Sequence, residues 1–252
     1  MKHLILSFIT LLIFQTQTNA QNIIVEYKVY LNTLERTGFL HISKEETPFY
    51  YETPLLKQSD VEENKEENNG VHKLSFVVGL DQSAKWYQIY SVANDTLYDI
   101  ENLDGKQMVY YDNVWPNWTF TEEEQELAGY KCMKAQTLFR GRNYTAWFTP
   151  EISTNVGPWK FRGLPGLILA IYDDEKSFSW FATKIHRKSE DAEHAPDIEN
   201  TAKISFQEFV ELQDLYRKEE SNKVFLRALG KNAIITGGKT IRGRELKYEW
   251  EK

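Results

Sequence analysis

Apolar and polar positions alternate with a period of two along most of this chain. Val25, Tyr27, Val29 and Leu31 share one parity, and Ile24, Glu26, Lys28 and Tyr30 share the other, more polar one. That pattern predicts a half-buried strand. Further strands are expected over 37–43, 48–52, 73–79, 85–93, 96–100 and 107–111, each short and rich in β-branched or aromatic residues. Turn chemistry separates them, most plainly at Asp104-Gly105, the strongest hairpin signal in the chain. Strands at this spacing with no helical pattern between them argue for antiparallel pairing rather than βαβ units.

The second half continues the pattern. A strand is expected over 130–139, with Tyr130 and Cys132 on one face and Met133 and Ala135 on the other. A partner over 143–149 follows the Arg140-Gly141-Arg142 turn. Leu167 to Tyr172 is an almost unbroken apolar run, which predicts burial on both faces, and Phe178 to His186 is its returning strand. Between them, 149–166 is an irregular connection punctuated by Pro150, Gly157 and Pro158. The polar stretch 187–202 reads as a surface loop. Ser205-Phe206-Gln207-Glu208 has the spacing of a capping box. Phe206, Phe209, Val210, Leu212, Gln213 and Tyr216 then place an apolar stripe on a helix over about 205–229. Residues 231–252 read as a weakly ordered tail or one edge strand.

Composition refines this outline. The chain has 252 residues, of which 41% are hydrophobic and 14% aromatic. That is enough apolar material for one sizeable core, and no internal repeat or linker divides it. Lys2 and His3, the apolar run from Leu4 to Phe14 and Thr18-Asn19-Ala20 have the layout of a signal peptide cleaved after residue 20. One β-rich domain over 21–252 is then expected, exported to the periplasm or beyond. The apolar run is too short to span a bilayer, which takes about 20 apolar residues. No other segment is long and apolar enough, so the protein is not expected to be integral to a membrane. A formal net charge of −7 disfavours nucleic-acid binding, which draws on cations. Cys132 is the only cysteine, so no intrachain disulfide is available.

Candidate chemistry is sparse. The acidic stretch 56–70 lacks the spacing of a calcium loop and reads as a solvated connection. The histidines show no metal-ligand spacing, neither a phosphate-binding loop nor a nucleophile elbow occurs, and no cofactor is implied. Interest centres on the 149–166 loop. Leu164-Pro165-Gly166-Leu167 suits a type II turn, with proline at its second position and glycine at its third. Gly163 would let backbone approach closely. On this reading Gly163, Leu164, Pro165, Gly166, Leu167 and Ile168 form a structural clamp that launches a central strand. A second reading makes the loop a rim: Trp147, Trp159 and Phe161 against the apolar part of a ligand, Lys160 and Arg162 near an anionic head.

Three separate stretches carry a family resemblance: Gly129-Tyr130-Lys131-Cys132-Met133-Lys134-Ala135, residues 141–152 from Gly141-Arg142-Asn143-Tyr144, and Gly157-Pro158-Trp159-Lys160-Phe161-Arg162-Gly163-Leu164-Pro165-Gly166-Leu167-Ile168. Their order and spacing resemble the GLPGLI family of exported Gram-negative proteins. The resemblance implies a curved antiparallel sheet or half-barrel, similar to periplasmic lipoprotein-carrier folds, with a C-terminal helix. It implies no catalytic residue. The expected function is a periplasmic or cell-envelope binding or carrier module for an apolar or amphipathic, lipid-like ligand. The alternative is a non-enzymatic accessory protein that contacts an envelope transport or secretion system. An envelope hydrolase would require His41, His186 or Cys132 to converge with an acid.

Overall fold

The structure, a computed structural model, describes residues 22–32, 34–43, 47–53, 66–68, 71–73, 85–187, 193–228 and 243–251. Among them one sheet dominates. Its strands are β1 (Ile23–Leu31), β2 (Leu34–Ile42), β3 (Phe49–Glu52), β6 (Trp86–Ser91), β7 (Thr96–Leu103), β8 (Lys106–Asp112), β9 (Thr119–Leu127), β10 (Tyr130–Phe139), β11 (Arg142–Thr149), β12 (Leu167–Asp173), β13 (Phe178–Arg187) and β14 (Lys203–Ser205). Their spatial order is β14-β8-β7-β6-β3-β2-β1-β13-β12-β11-β10-β9. Pairing is antiparallel except at one margin, where β14 runs parallel to β8. A separate two-stranded ribbon joins β4 (Glu66–Asn68) to β5 (Val71–Lys73). Helix α1 (Phe206–Ala228) follows β14 directly.

Elementary patterning accounts for most of these elements. In β1 the parity holding Val25, Tyr27 and Val29 is buried. In β12, Leu167 through Ile171 are all buried, as the continuous apolar run predicts. The hairpin between β7 and β8 turns on Asp104 (φ 54°) and Gly105 (φ 69°), two consecutive positive-φ residues that match the strands' twist. At the helix start, the Ser205 backbone N–H donates to Glu208 (2.7 Å) and the Glu208 N–H donates to Ser205 Oγ (3.2 Å), completing the capping box.

Four features depart from the sequence reading. Residues 119–127 form a full strand, β9, at the free edge of the sheet. A bulge between Met133 and Ala135 shifts the register of β10, so Cys132 and Ala135 are both buried rather than on opposite faces. On α1 the predicted stripe packs through Phe206, Phe209, Val210 and Tyr216, whereas Leu212 is 42% exposed. The described part of the tail, 243–251, is tied down: Leu246 and Lys247 N–H both donate to the Arg140 carbonyl. The 73–79 strand lies almost wholly outside the described residues, as do the segment 1–20, most of 56–70 and the tail up to residue 242.

The sheet curls strongly. Asp112 ends β8, second in the strand order, and Arg140 follows β10, eleventh in it, yet their side chains meet in an ion pair of 2.9 Å. Further bulges between Glu26 and Tyr27 and between Trp147 and Phe148 add local twist. The result is an open half-barrel whose concave side is filled by its own chain, chiefly by 152–168.

Candidate functional site

Glycine geometry seats the 150–166 segment inside the half-barrel. A Cβ on Gly166 would lie 2.1 Å from the Thr149 carbonyl oxygen, and one on Gly157 would lie 2.5 Å from that of Phe161. Positive φ falls on Gly163 (89°), and Gly166 is absent from the positive-φ residues. The type II turn is therefore corrected, and the two glycines exchange roles: Gly163 supplies the left-handed conformation and Gly166 the close approach. Leu164, Leu167 and Ile168 are buried, and the strand entry is fixed by Leu167 N–H donating to Ile152 O (3.1 Å) and Tyr27 Oη donating to Ile168 O (2.7 Å).

The rim geometry is corrected too. Trp159 and Phe161 point inward, 2% and 0% exposed. The Trp159 indole stacks on Trp180, centroids 5.6 Å apart, and meets Phe139 and Tyr144 edge-on or tilted. Its backbone takes φ 51°, unusual for a bulky residue, while Tyr90 Oη donates to its carbonyl oxygen. Arg162 stays near the surface, paired with Asp95 (2.6 Å) and lying over the Trp115 ring. Trp147 is not brought together with the others: its indole donates to Tyr172 Oη (3.3 Å) beside Lys134. Cys132, His41 and His186 sit on β10, β2 and β13, and the His41 ring stacks on Phe49.

Beside the plug the concave face opens into a cleft of about 360 Å³. Its walls come from the β1–β2 turn, β6, β7, the Trp159-Lys160 corner, α1 and the 243–248 segment. Lys160, only 1% exposed, donates to Asp112 Oδ2 (2.8 Å) and Glu245 Oε1 (3.0 Å). Arg140 joins the same cluster, donating to Asp112 Oδ1 (2.9 Å), to Glu249 (3.0 Å) and to Glu245. The Phe206 ring lies under both cations, 3.7 Å from Lys160 Nζ and 4.5 Å from the Arg140 guanidinium. Nearby, Arg244 donates to the fully buried Glu52 (2.6 Å), Tyr50 Oη donates to the same carboxylate (3.0 Å), and Arg36 lies 3.7 Å from it.

Burial and these partners set the charge states. Burial pushes the Asp112 carboxyl up, but Lys160 and Arg140 more than offset it and hold it below the ordinary range. Burial opposes the charges of Lys160 and Arg140, yet their carboxylate neighbours keep both raised. Glu101, on the cleft wall, is shifted the other way: burial raises it, and the Tyr110 hydroxyl that donates to it (2.9 Å) only partly counters that. Asp99 is pushed well up by burial. Its Oδ1 accepts from Gln88 Nε2 (2.7 Å), while Asp99 Oδ2 and Gln88 Oε1 lack partners. A proton on Asp99 Oδ2 supplies the donor that Gln88 Oε1 needs, making a neutral acid–amide pair.

The alternation of β7 held a signal for these groups. Asp99 and Glu101 share the parity of Leu97, which is fully buried, so two acids fall on an inward face. Arg140, Arg244 and Glu245 carry no such local mark. Among the described residues no group of three His, Cys, Asp or Glu is placed to hold a metal ion. No helix among them is long and apolar enough to cross a membrane.

Fold and site together define an open, curled twelve-stranded sheet with a self-filled concave face and a charged cleft beside the filling. A family model described as "Protein of unknown function (Porph_ging)" matches residues 137–170, which hold β11, the plug and most of β12. Two solved structures of PNGF-II, in P21 and C2 space groups, are similar in fold, each with a TM-score of 0.50 and 14% identity. The alignments cover 79% of this chain but only 34% of PNGF-II, so the chain spans about a third of that protein's length. No curated protein matches.

Proposed function

We propose that this protein is a binding module that holds a small amphipathic ligand in the cleft beside the plug. One observation carries the reading: the cleft joins Trp86 and the Trp159-Lys160 corner to the hydrogen-bonding groups of Glu101 and Arg244 in one concavity. Its size is that of ordinary small-molecule sites, about 300–1,000 Å³, where apolar walls and a few fixed polar groups divide affinity and orientation between them. The 152–168 plug fills the interior that a long chain would need, so the ligand is short. On this reading the protein works after export, as the GLPGLI resemblance and the signal-like segment 1–20 suggest, and needs no chemistry of its own.

The test is calorimetric titration of the purified protein with short amphiphiles of different head groups, beside the variant Trp86→Ala. Saturable binding weakened at least tenfold by Trp86→Ala is the expected result. Binding that ignores the substitution, or no binding by any member, overturns the reading.

A further inference from the structure

The charge lining the cleft runs against that of the molecule. Among the described residues, five cationic side chains line it against two acids, Glu101 and Glu245, in a chain of net charge −7. A concavity lined mainly by one sign focuses its field on a ligand of the other. Glu245 is committed to Lys160 and Arg140, and Lys85 to Glu193, which leaves Arg36 and Arg244 beside Glu52 and Arg217 on α1 as the remaining cations of the cleft.

Arg244 is the most telling of the cations. Its side chain is only 15% exposed, and its guanidinium lies against the rings of Trp86 (4.9 Å), Trp180 (5.5 Å) and Trp159 (5.9 Å). A guanidinium carries five N–H donors in a fixed fork. Glu52 takes one of them through Nη2, and the structure gives the rest no protein acceptor among the described residues. None of those donors is among the buried polar atoms that lack a partner, so they open to the cleft, where an anion can take the place of water. Arg217 on α1 also lines the cleft, and among the described residues it has only an i, i+3 contact of 3.7 Å to Asp214. Lys160 spends two of its three donors.

Resting on the reading above, we infer that the cleft's ligand carries an anionic head, a carboxylate or a phosphate monoester, received by the Arg244 fork with Arg217 on the cleft wall. The planar fork takes either anion bidentately. The three indoles hold that fork in place, so little side-chain freedom is lost on binding. The apolar body of the ligand then lies along Trp86.

Four naphthalene probes that share one ring body test this: 2-naphthoate, 2-naphthyl phosphate, 2-naphthylmethanol and 2-naphthylmethylamine. They are titrated into the wild type, Arg244→Lys and Arg217→Gln. The expected result is that one of the two anions binds at least tenfold tighter than the alcohol, the stronger one naming the head group. Arg244→Lys, which keeps a cation beside Glu52, should lose most of that preference, the anion's affinity falling toward the alcohol's. If circular dichroism finds Arg244→Lys unfolded, Arg217→Gln decides, because among the described residues Arg217 pairs only with Asp214 on its own helix. An alcohol or amine that binds as tightly as the anions overturns the anionic head but leaves a binding module standing. An anion preference that survives both variants also overturns it. Failure of all four probes overturns this inference and the proposed function together.

Discussion

Gly166 and Trp159 show how single residues hold the plug in place. A methyl group on Gly166 would enter the space of the Thr149 carbonyl, which is backbone and cannot swing aside. Gly166→Ala should therefore cost about 3 kcal/mol or more, at the upper end of overpacking effects. Trp159 meets Trp180, Phe139, Tyr144 and Phe161, and Trp159→Ala should cost about 3–5 kcal/mol through the cavity left behind. Urea denaturation of both variants checks the pair. A Trp159→Ala protein as stable as wild type would return that side chain to the surface role its neighbours suggest in sequence. Trp159 and Arg140 are also non-glycine residues at positive φ (51° and 48°), as is Asn32 (56°) in the cleft wall. Such conformations cost about 1–3 kcal/mol each and persist only where the surroundings fix them. Here the Trp159 carbonyl is held by Tyr90, and the Arg140 carbonyl accepts from both Leu246 and Lys247.

Among the elements, β9 carries the largest risk. It is nine residues long and lies at the end of the sheet, where one row of backbone groups has no neighbouring strand among the described residues. Such an edge invites pairing with another copy unless charge discourages it. Glu122, Glu123, Glu124 and Glu126 are all exposed there, and Glu123 and Glu124 pair back to Lys134 and Lys131. Replacing Glu122 and Glu126 by Thr should leave the fold intact and shift the protein toward oligomers in size-exclusion chromatography at high concentration. A monomer unchanged by the double substitution would show that charge is not what protects this edge. The same four glutamates hid the strand in the sequence: they favour strands poorly, and with neither face buried no alternation is visible.

For the whole molecule the cluster of buried charges makes stability depend on pH in two opposed ways. Asp112 is depressed, so its contribution is full above the ordinary carboxylate range and is lost as pH falls through its lowered value. Asp99 is raised, so folding favours its protonated form. That contribution is full below the ordinary carboxylate value of about 3.9 and is lost as pH rises through the raised one. The groups acting on it are Gln88 on β6, Glu101 beside it on β7, Asp112 on β8 and Lys160 from the plug. Asp99→Asn mimics the neutral acid and should make the protein more stable than wild type at neutral pH, with the gain shrinking toward pH 4. Denaturant midpoints at the two pH values measure this, and equal midpoints for the two proteins at neutral pH would overturn the neutral acid–amide pair.

Much of the fold was legible because β-strand parity, hairpin turns and a capping box are local signals. Val25, Tyr27 and Val29 marked an inward face, Asp104-Gly105 marked a turn, and Ser205 with Glu208 marked the start of α1. The clamp was legible as a motif, but not its mechanics. Which glycine takes positive φ and which one meets a carbonyl depends on where Thr149 lies once β11 and β12 are paired. Of the cleft, the loop motif marked Trp159 and Lys160 as candidate ligand contacts and the parity of β7 turned Asp99 and Glu101 inward, but its other charges could not be read. Its charges come from β2, β3, β7, β8, the end of β10, the plug and residues 244–249, and only the curl that carries Asp112 to Arg140 makes them neighbours. Local sequence fixes which residues face inward; only the curl of the open sheet decides which inward charges meet, because burial leaves each of them to find its partner in space rather than along the chain.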